Sequence, residues 1–194
     1  MEKFGTWAII ASALGRDSIV YSVGVGTEID FDLALIDRFG LQVHAFDPTP
    51  VAVEWVRAQR LPPGFVFHPV GVAAHDGTAE FGARSTATHY TTLAGNDAGG
   101  ERVSLPVRRL ASLGASLGHE RIDLLKLDIE GAEYAVLHDM LERKLHAEQI
   151  LVEFHHRFRT IGKSRTEQAV AALRDAGYRI FHISPSGREY GFVR

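Results

Sequence analysis

Short apolar runs rich in β-branched residues alternate along this chain with stretches whose apolar residues recur every three or four positions. The first kind predicts buried strands over 18–23 (SIVYSV), 42–47 (QVHAFD), 64–72 (GFVFHPVGV), 121–129 (RIDLLKLDI) and 149–156 (QILVEFHH). The second predicts helices between them. One spans 28–39, with Thr27 as its N-cap and Gly40 just past its end. The next opens with Thr49 as N-cap and Pro50 at the first helical position. A weak helix covers 108–118, and Tyr134, Leu137, Leu141 and Leu145 mark another. The last opens on a Ser164–Glu167 capping box and closes on Gly177. Two strand-like runs around Pro185-Ser186-Gly187 end the chain as an antiparallel hairpin.

Five strand–helix units and a hairpin predict a single-domain, three-layer α/β sandwich over 1–194, with a mostly parallel sheet. Residues 1–17 read as a docked N-terminal helix, because Glu2 and the brevity of WAII argue against a leader peptide. Residues 75–107 are rich in Gly, Thr, Ala and Ser. They predict a short strand near 79–82, a long loop, and a strand near 102–107. Composition narrows the function. A net charge of -3 gives no electrostatic footprint for nucleic acid. The chain has no Cys, which removes disulfides, thiolate metal sites and a Cys nucleophile. No apolar run approaches the ~20 residues of a membrane span. A cytoplasmic protein without a membrane or nucleic-acid partner is the expectation.

In such sheets, ligands bind outside the carboxyl ends of the strands. The first strand ends in Gly24-Val25-Gly26, and the second ends in Asp47, 21 residues after Gly26. Glycines let a backbone approach a ligand, and an acid at that distance can take two ribose hydroxyls. Ile29 stands at the third glycine position of the dinucleotide pattern, against a dehydrogenase. The fourth strand places Lys126, Asp128 and Glu130 on one parity, with Glu133 just beyond. Such charges in a buried parallel strand cost desolvation unless partners or ligands meet them. The fifth strand ends with Glu153 and His155 on one face. If these strands are neighbours, Asp128, Glu130, Glu153 and His155 converge, and Asp128, Glu153 and His155 could hold a divalent metal such as Mg or set up a general base. His156 points the other way and reads as structural. His44, His68, His75, His119, His138, His146 and His182 show no ligand spacing, whereas His89 and Tyr90 lie in the long loop that could cover the site.

The segment LLKLDIEGAE (124–133), with VYSVGVG, VHAFDPTP and LVEFHH at matching places, resembles the FkbM-type methyltransferases. These are S-adenosylmethionine-dependent enzymes with the class I methyltransferase fold. The resemblance implies seven strands, the last hairpin strand inserted antiparallel. It implies that Ser22, Gly24, Gly26, Thr27 and Glu28 surround the methionine part of the donor and that Asp128 borders it. Asp47 and Pro48 would hold the ribose, and Val70 and Gly71 would border the adenine. Ser22 stands where the first motif usually starts with an acid, and Glu28 where a third glycine often follows. Glu28 is then the residue placed to offer a carboxylate to the donor's amino group.

The resemblance implies methyl transfer, most simply to a hydroxyl of a small molecule, sugar or polyketide-like acceptor. Asp128, Glu153 and His155 would serve the proton transfer, with His155 as base and Lys126 orienting Asp128 or Glu130. His89, Tyr90, Glu130 and Glu133 would border the acceptor. Transfer to nitrogen or carbon is an alternative, though no Asn/Asp-Pro-Pro-aromatic segment follows the fourth strand. A non-catalytic, donor-binding scaffold is another, supported by Ser22 and Glu28. An oxidoreductase lacks its Tyr-x-x-x-Lys pair.

Overall fold

The computed structural model describes residues 1–83, 90–91 and 102–194. The chain opens with two strands, β1 (Glu2–Phe4) and β2 (Trp7–Ile9), and a short 3-10 turn at Ala11–Ala13. Then come β3 (Ile19–Val23), α1 (Asp30–Phe39), β4 (Gln42–Phe46), α2 (Pro50–Ala58) and β5 (Phe65–His68). An inserted stretch holds β6 (Gly71–Val72), β7 (Gly77–Ala83), β8 (Tyr90–Thr91) and β9 (Arg102–Arg108). The chain returns through α3 (Leu110–Leu117), β10 (Ile122–Leu127), α4 (Glu133–Glu142), β11 (Ala147–Glu153) and α5 (Lys163–Asp175). It ends with β12 (Arg179–Ile183) and β13 (Glu189–Val193).

Seven strands form the main sheet in the order β12-β13-β11-β10-β3-β4-β5. β13 is the antiparallel member, paired on both sides with strands of opposite direction. The expected α/β sandwich and its inserted last strand are therefore present. One core lies between the sheet and α3, α4 and α5, built on Leu125, Leu127, Ile150 and Phe192. A second lies under α1 and the N-terminal strands, built on Val20, Leu35, Leu124 and Leu151.

Four local expectations change. Residues 1–17 form no α-helix. Gly5 at φ 62 lets Gly5-Thr6 close a two-residue hairpin, with Phe4 opposite Trp7. The hairpin docks because the buried Gln149 side chain pairs with both backbone groups of Ile10, at 2.7 and 3.2 Å. Thr27 does not cap α1. The glycine loop runs on through Glu28, so Ile29 takes the N-cap position. Ser164 lies inside α5, whose N-cap is Gly162 at φ 76, so the expected capping box is not the helix start. The run 64–72 splits at Pro69, which has no N–H for the ladder. Its second half joins a separate four-stranded sheet, β6-β9-β7-β8, in which β7 and β9 match the strands expected near 79–82 and 102–107. Gly40 does close α1 in the left-handed conformation, and Thr49 does cap α2 with Pro50 in its first turn.

Gly24 and Gly26 differ in kind. A Cβ at Gly24 would lie 1.7 Å from the Asp128 carbonyl oxygen, so glycine is required for β3 and β10 to approach at their ends. A Cβ at Gly26 would meet nothing within 4 Å, although φ is 52. Gly24→Ala is expected to cost about 3 kcal/mol or more. Gly26→Ala is expected to cost about 1 kcal/mol, from its left-handed backbone alone. Urea unfolding of both variants measures the difference.

Candidate active site

The carboxyl ends of β3, β4, β10 and β11 open into one groove of about 1320 Å³. The glycine loop forms its floor, and residues 4–7 of the N-terminal hairpin form a wall. Gly24, Gly26, Thr27, Glu28, Asp47, Pro48, Gly71 and Asp128 all line it. Ser22 and Val70 are not among its lining residues; Ser22 is fully buried beneath, because its strand position points into the α1 layer. His89 lies outside the described residues, and of Tyr90 only the backbone is described.

Asp47 is held by its own turn. Oδ2 accepts from the Gly26 amide at 2.9 Å, which ties the ends of β3 and β4 together. Oδ1 accepts from the Thr49 amide at 2.9 Å and the Thr49 hydroxyl at 2.6 Å. Each carboxylate oxygen has two lone pairs, so acceptor capacity remains on Oδ2 for a ligand hydroxyl. Phe46, Gly71 and Phe81 add apolar lining to the same groove.

The acidic end is organised by Glu133. This residue, expected at the acceptor pocket, is instead fully buried. Its Oε1 accepts from the amides of Ile129 (3.0 Å) and Gly131 (3.1 Å) and from His155 Nδ1 (2.7 Å). The first two bonds hold the turn after β10, where Glu130 takes a left-handed φ of 52, uncommon for a residue with a side chain. The third fixes the His155 ring, whose Nε2 stands 3.9 Å from Asp128 Oδ1 and 3.7 Å from Glu130 Oε2. Burial disfavours a charged imidazole, but the Glu133 hydrogen bond and the charges of Glu133, Glu130 and Asp128 outweigh it. They lift the His155 pKa to about 9. His155 therefore carries a proton at neutral pH and is an electrostatic clamp before it is a base. Glu153 has its pKa raised by burial and by the Asp128 charge, against the opposing charges of His155 and Arg188. Arg188 donates to Glu153 Oε1 at 2.6 Å.

Asp128, Glu153 and His155 offer ligand atoms within 4.8 Å of one another. The set does not suit a hard divalent ion as it stands. Arg188 occupies one oxygen of Glu153, and His155, whose Nδ1–Glu133 bond leaves Nε2 towards Asp128, would have to lose its proton to ligate. Magnesium calls for several oxygen ligands, and metal binding to imidazole requires the neutral ring.

Lys126 departs from its expected role. Strand parity turns it to the α1 face, where Nζ lies 5.1 Å from the centroid of the Trp7 ring, and it forms no ion pair with Asp128 or Glu130. Asp32, Trp7 and Arg188 were not singled out from the sequence. Asp32 was the most readable of them, since it occupies an apolar-stripe position of α1, three residues from both Ile29 and Leu35. His44, His68 and His119 form a ring cluster with Tyr21, with His44 Nδ1 3.0 Å from His68 Nε2. Burial, then the His119 and His68 charges, lowers His44 to about 4.

A seven-stranded sheet in this order, with a glycine turn and an acid at the ends of adjacent strands, is the class I methyltransferase fold. The comparisons agree. The Methanococcus jannaschii fibrillarin pre-rRNA processing protein superposes with a TM-score of 0.57 at 11% identity, covering 92% of this chain and 67% of that one. Aeropyrum pernix fibrillarin, solved with natively bound S-adenosyl-L-methionine, gives 0.51 at 13% identity, covering 93% and 66%. Residues 16–180 match the methyltransferase FkbM domain, and the chain belongs to that family. "Probable methyltransferase-like protein 24" of Homo sapiens is 24% identical over 174 residues, which is 84% of this chain and 42% of the human protein. The Rattus norvegicus protein of the same name matches to the same extent. The chain spans less than half the length of these curated relatives. No helix among the described residues is long and apolar enough to cross a membrane.

The raised His155 pKa sets a pH dependence. Because the folded value of about 9 lies above the ordinary 6.5, the His155–Glu133 pair stabilises fully below about pH 6.5 and less as pH rises through about 9. Thermal unfolding from pH 6 to 10 is expected to show this loss in the wild type. Glu133→Gln should flatten it, and NMR titration should find His155 moved down.

Proposed function

We propose that this domain transfers a methyl group from S-adenosylmethionine to a hydroxyl of a small-molecule or glycan acceptor. The observation that carries the reading is the pairing, along one groove, of a glycine-loop and Asp47 half with a carboxylate half at Asp128 and Glu153. The donor chemistry rests on family membership. When bound, S-adenosylmethionine supplies a methyl already activated on a sulfonium, so the protein's work is alignment, water exclusion and proton removal. Asp47 takes the ribose hydroxyls beside the Gly26 amide. Phe46 and Phe81 flank the base. Glu28, at the exposed rim, faces the donor's ammonium.

Glu153 accepts the acceptor's hydroxyl proton. Its raised pKa makes it a better base than an ordinary carboxylate, and Asp128 beside it orients the acceptor. His155, protonated and locked by Glu133, balances the negative charge that remains near Asp128 and Glu130. No step needs a metal.

Calorimetry with S-adenosylmethionine and, in parallel, NAD tests the donor. Micromolar binding of the first alone, lost in Asp47→Ala, is the expected result; binding of neither would overturn it. Methyl-label transfer to hydroxylated acceptors tests the rest. Glu153→Gln is expected to lower kcat about 10²- to 10⁴-fold with donor affinity unchanged. A chelator is expected to leave the rate as it is. An unchanged Glu153→Gln rate would remove the base assignment.

A further inference from the structure

Beneath the glycine loop, on the α1 side, three polar side chains sit together with almost no hydrogen bonding. Lys126 is only 4% exposed yet lines the groove. Among the described residues its ammonium makes no hydrogen bond and no ion pair within 4 Å. Ser22 stands opposite Lys126 in the parallel register of β3 and β10, and its buried Oγ has no hydrogen-bond partner among the described residues. Asp32, from the first turn of α1, is fully buried, and neither carboxylate oxygen has a hydrogen-bond partner among the described residues. Ser22 and Lys126 are register partners at the ends of β3 and β10, and Asp32 lies close enough for the Lys126 charge to oppose the rise that burial imposes on its pKa. The Trp7 ring covers the cluster, with Lys126 Nζ over its face.

An ammonium has three donors and no acceptor, so one at a groove wall is ready to meet an anion. This one borders the space where the glycine loop would meet the donor. Its charge is balanced at a distance by Asp32, so its donors remain unspent. A carboxylate entering the groove would supply the missing acceptors as charge-assisted bonds in a site shielded by Trp7.

We propose that Lys126 receives the carboxylate at the methionine end of the methyl donor, and that Asp32 is the positioning residue that holds Lys126 there. The proposal rests on the reading that S-adenosylmethionine is the donor. It also explains the serine at position 22: the acid expected on the strand has moved to the helix, beside the same lysine.

The test compares calorimetric affinities for S-adenosylmethionine and its decarboxylated analogue, which differ only in that carboxylate. Wild type is expected to prefer the carboxylated donor by about tenfold or more. Lys126→Met should bind the two alike, and Lys126→Gln serves if the Met variant does not fold. Asp32→Ser should lose most of the preference. The exchange variant Ser22→Asp/Asp32→Ser, which returns a carboxylate to the same lysine from the strand, should regain it. A purely structural role for Asp32 would not move the ratio of the two affinities.

Equal wild-type affinities overturn the proposal with no variant needed. A Lys126 variant that keeps the wild-type ratio overturns the lysine's role while leaving the donor reading intact. A ratio unchanged in Asp32→Ser overturns the positioning role. Binding of neither compound by wild type means that the donor reading itself has failed, and the proposal falls with it.

Discussion

Glu133 Oε1 accepts hydrogen bonds from the Ile129 and Gly131 amides and from His155 Nδ1, and the acidic half of the groove depends on that one oxygen. The two amides would otherwise be unpaired donors in a turn whose Glu130 backbone is already in an unfavourable region. The imidazole would otherwise lack the bond that fixes its Nδ1. By joining them, Glu133 links the end of β10 to the chain just after β11. A buried carboxylate is tolerable because it is met by three donors, one of them charged. Its second oxygen has no hydrogen-bond partner among the described residues.

The same logic recurs at the other half. Asp47 Oδ2 joins the end of β4 to the Gly26 amide after β3, as Glu133 joins β10 to β11. Between these two links, Gly24 lets the β3 end lie against the Asp128 carbonyl. The groove is therefore built from neighbouring strand ends stitched by side-chain carboxylates. Ligand-facing acids stand beside structural ones. Asp128 and Glu153 line the open groove, whereas Glu133 and Asp32 are sealed below it. Charge balance is local in each case: His155 answers Glu133, Arg188 answers Glu153, and Lys126 answers Asp32. The N-terminal hairpin closes the last of these pairs by laying Trp7 over the lysine.

Much of this was legible along the chain. The apolar runs at 18–23, 42–47, 121–129 and 149–156 became β3, β4, β10 and β11, because buried parallel strands need near-continuous apolar sequence. Gly24, Gly26, Asp47, Asp128, Glu153 and His155 could be placed at strand ends from their spacing alone. The misreadings have local causes. Thr27 and Ser164 resemble caps, but the preceding loop decides which residue has non-helical dihedrals. Pro69 ends a strand whose apolar pattern runs on past it. Gly5-Thr6 carried a hairpin signal inside a stretch too short to show strand alternation.

The sequence by itself determined the alternation of elements, the carboxyl-end placement of the acids and the family to which the segment 124–133 belongs. These follow from periodicity and from residue type, which are properties of the chain taken a few positions at a time. Only the tertiary structure decided the protonation of His155, the burial of Glu133 and the partnership of Lys126 with Asp32 and Trp7. Each depends on groups 22, 94 or more positions apart being brought within a few ångströms in a medium of low dielectric. Burial and charge proximity there set whether an identical side chain acts as acid, clamp or anchor.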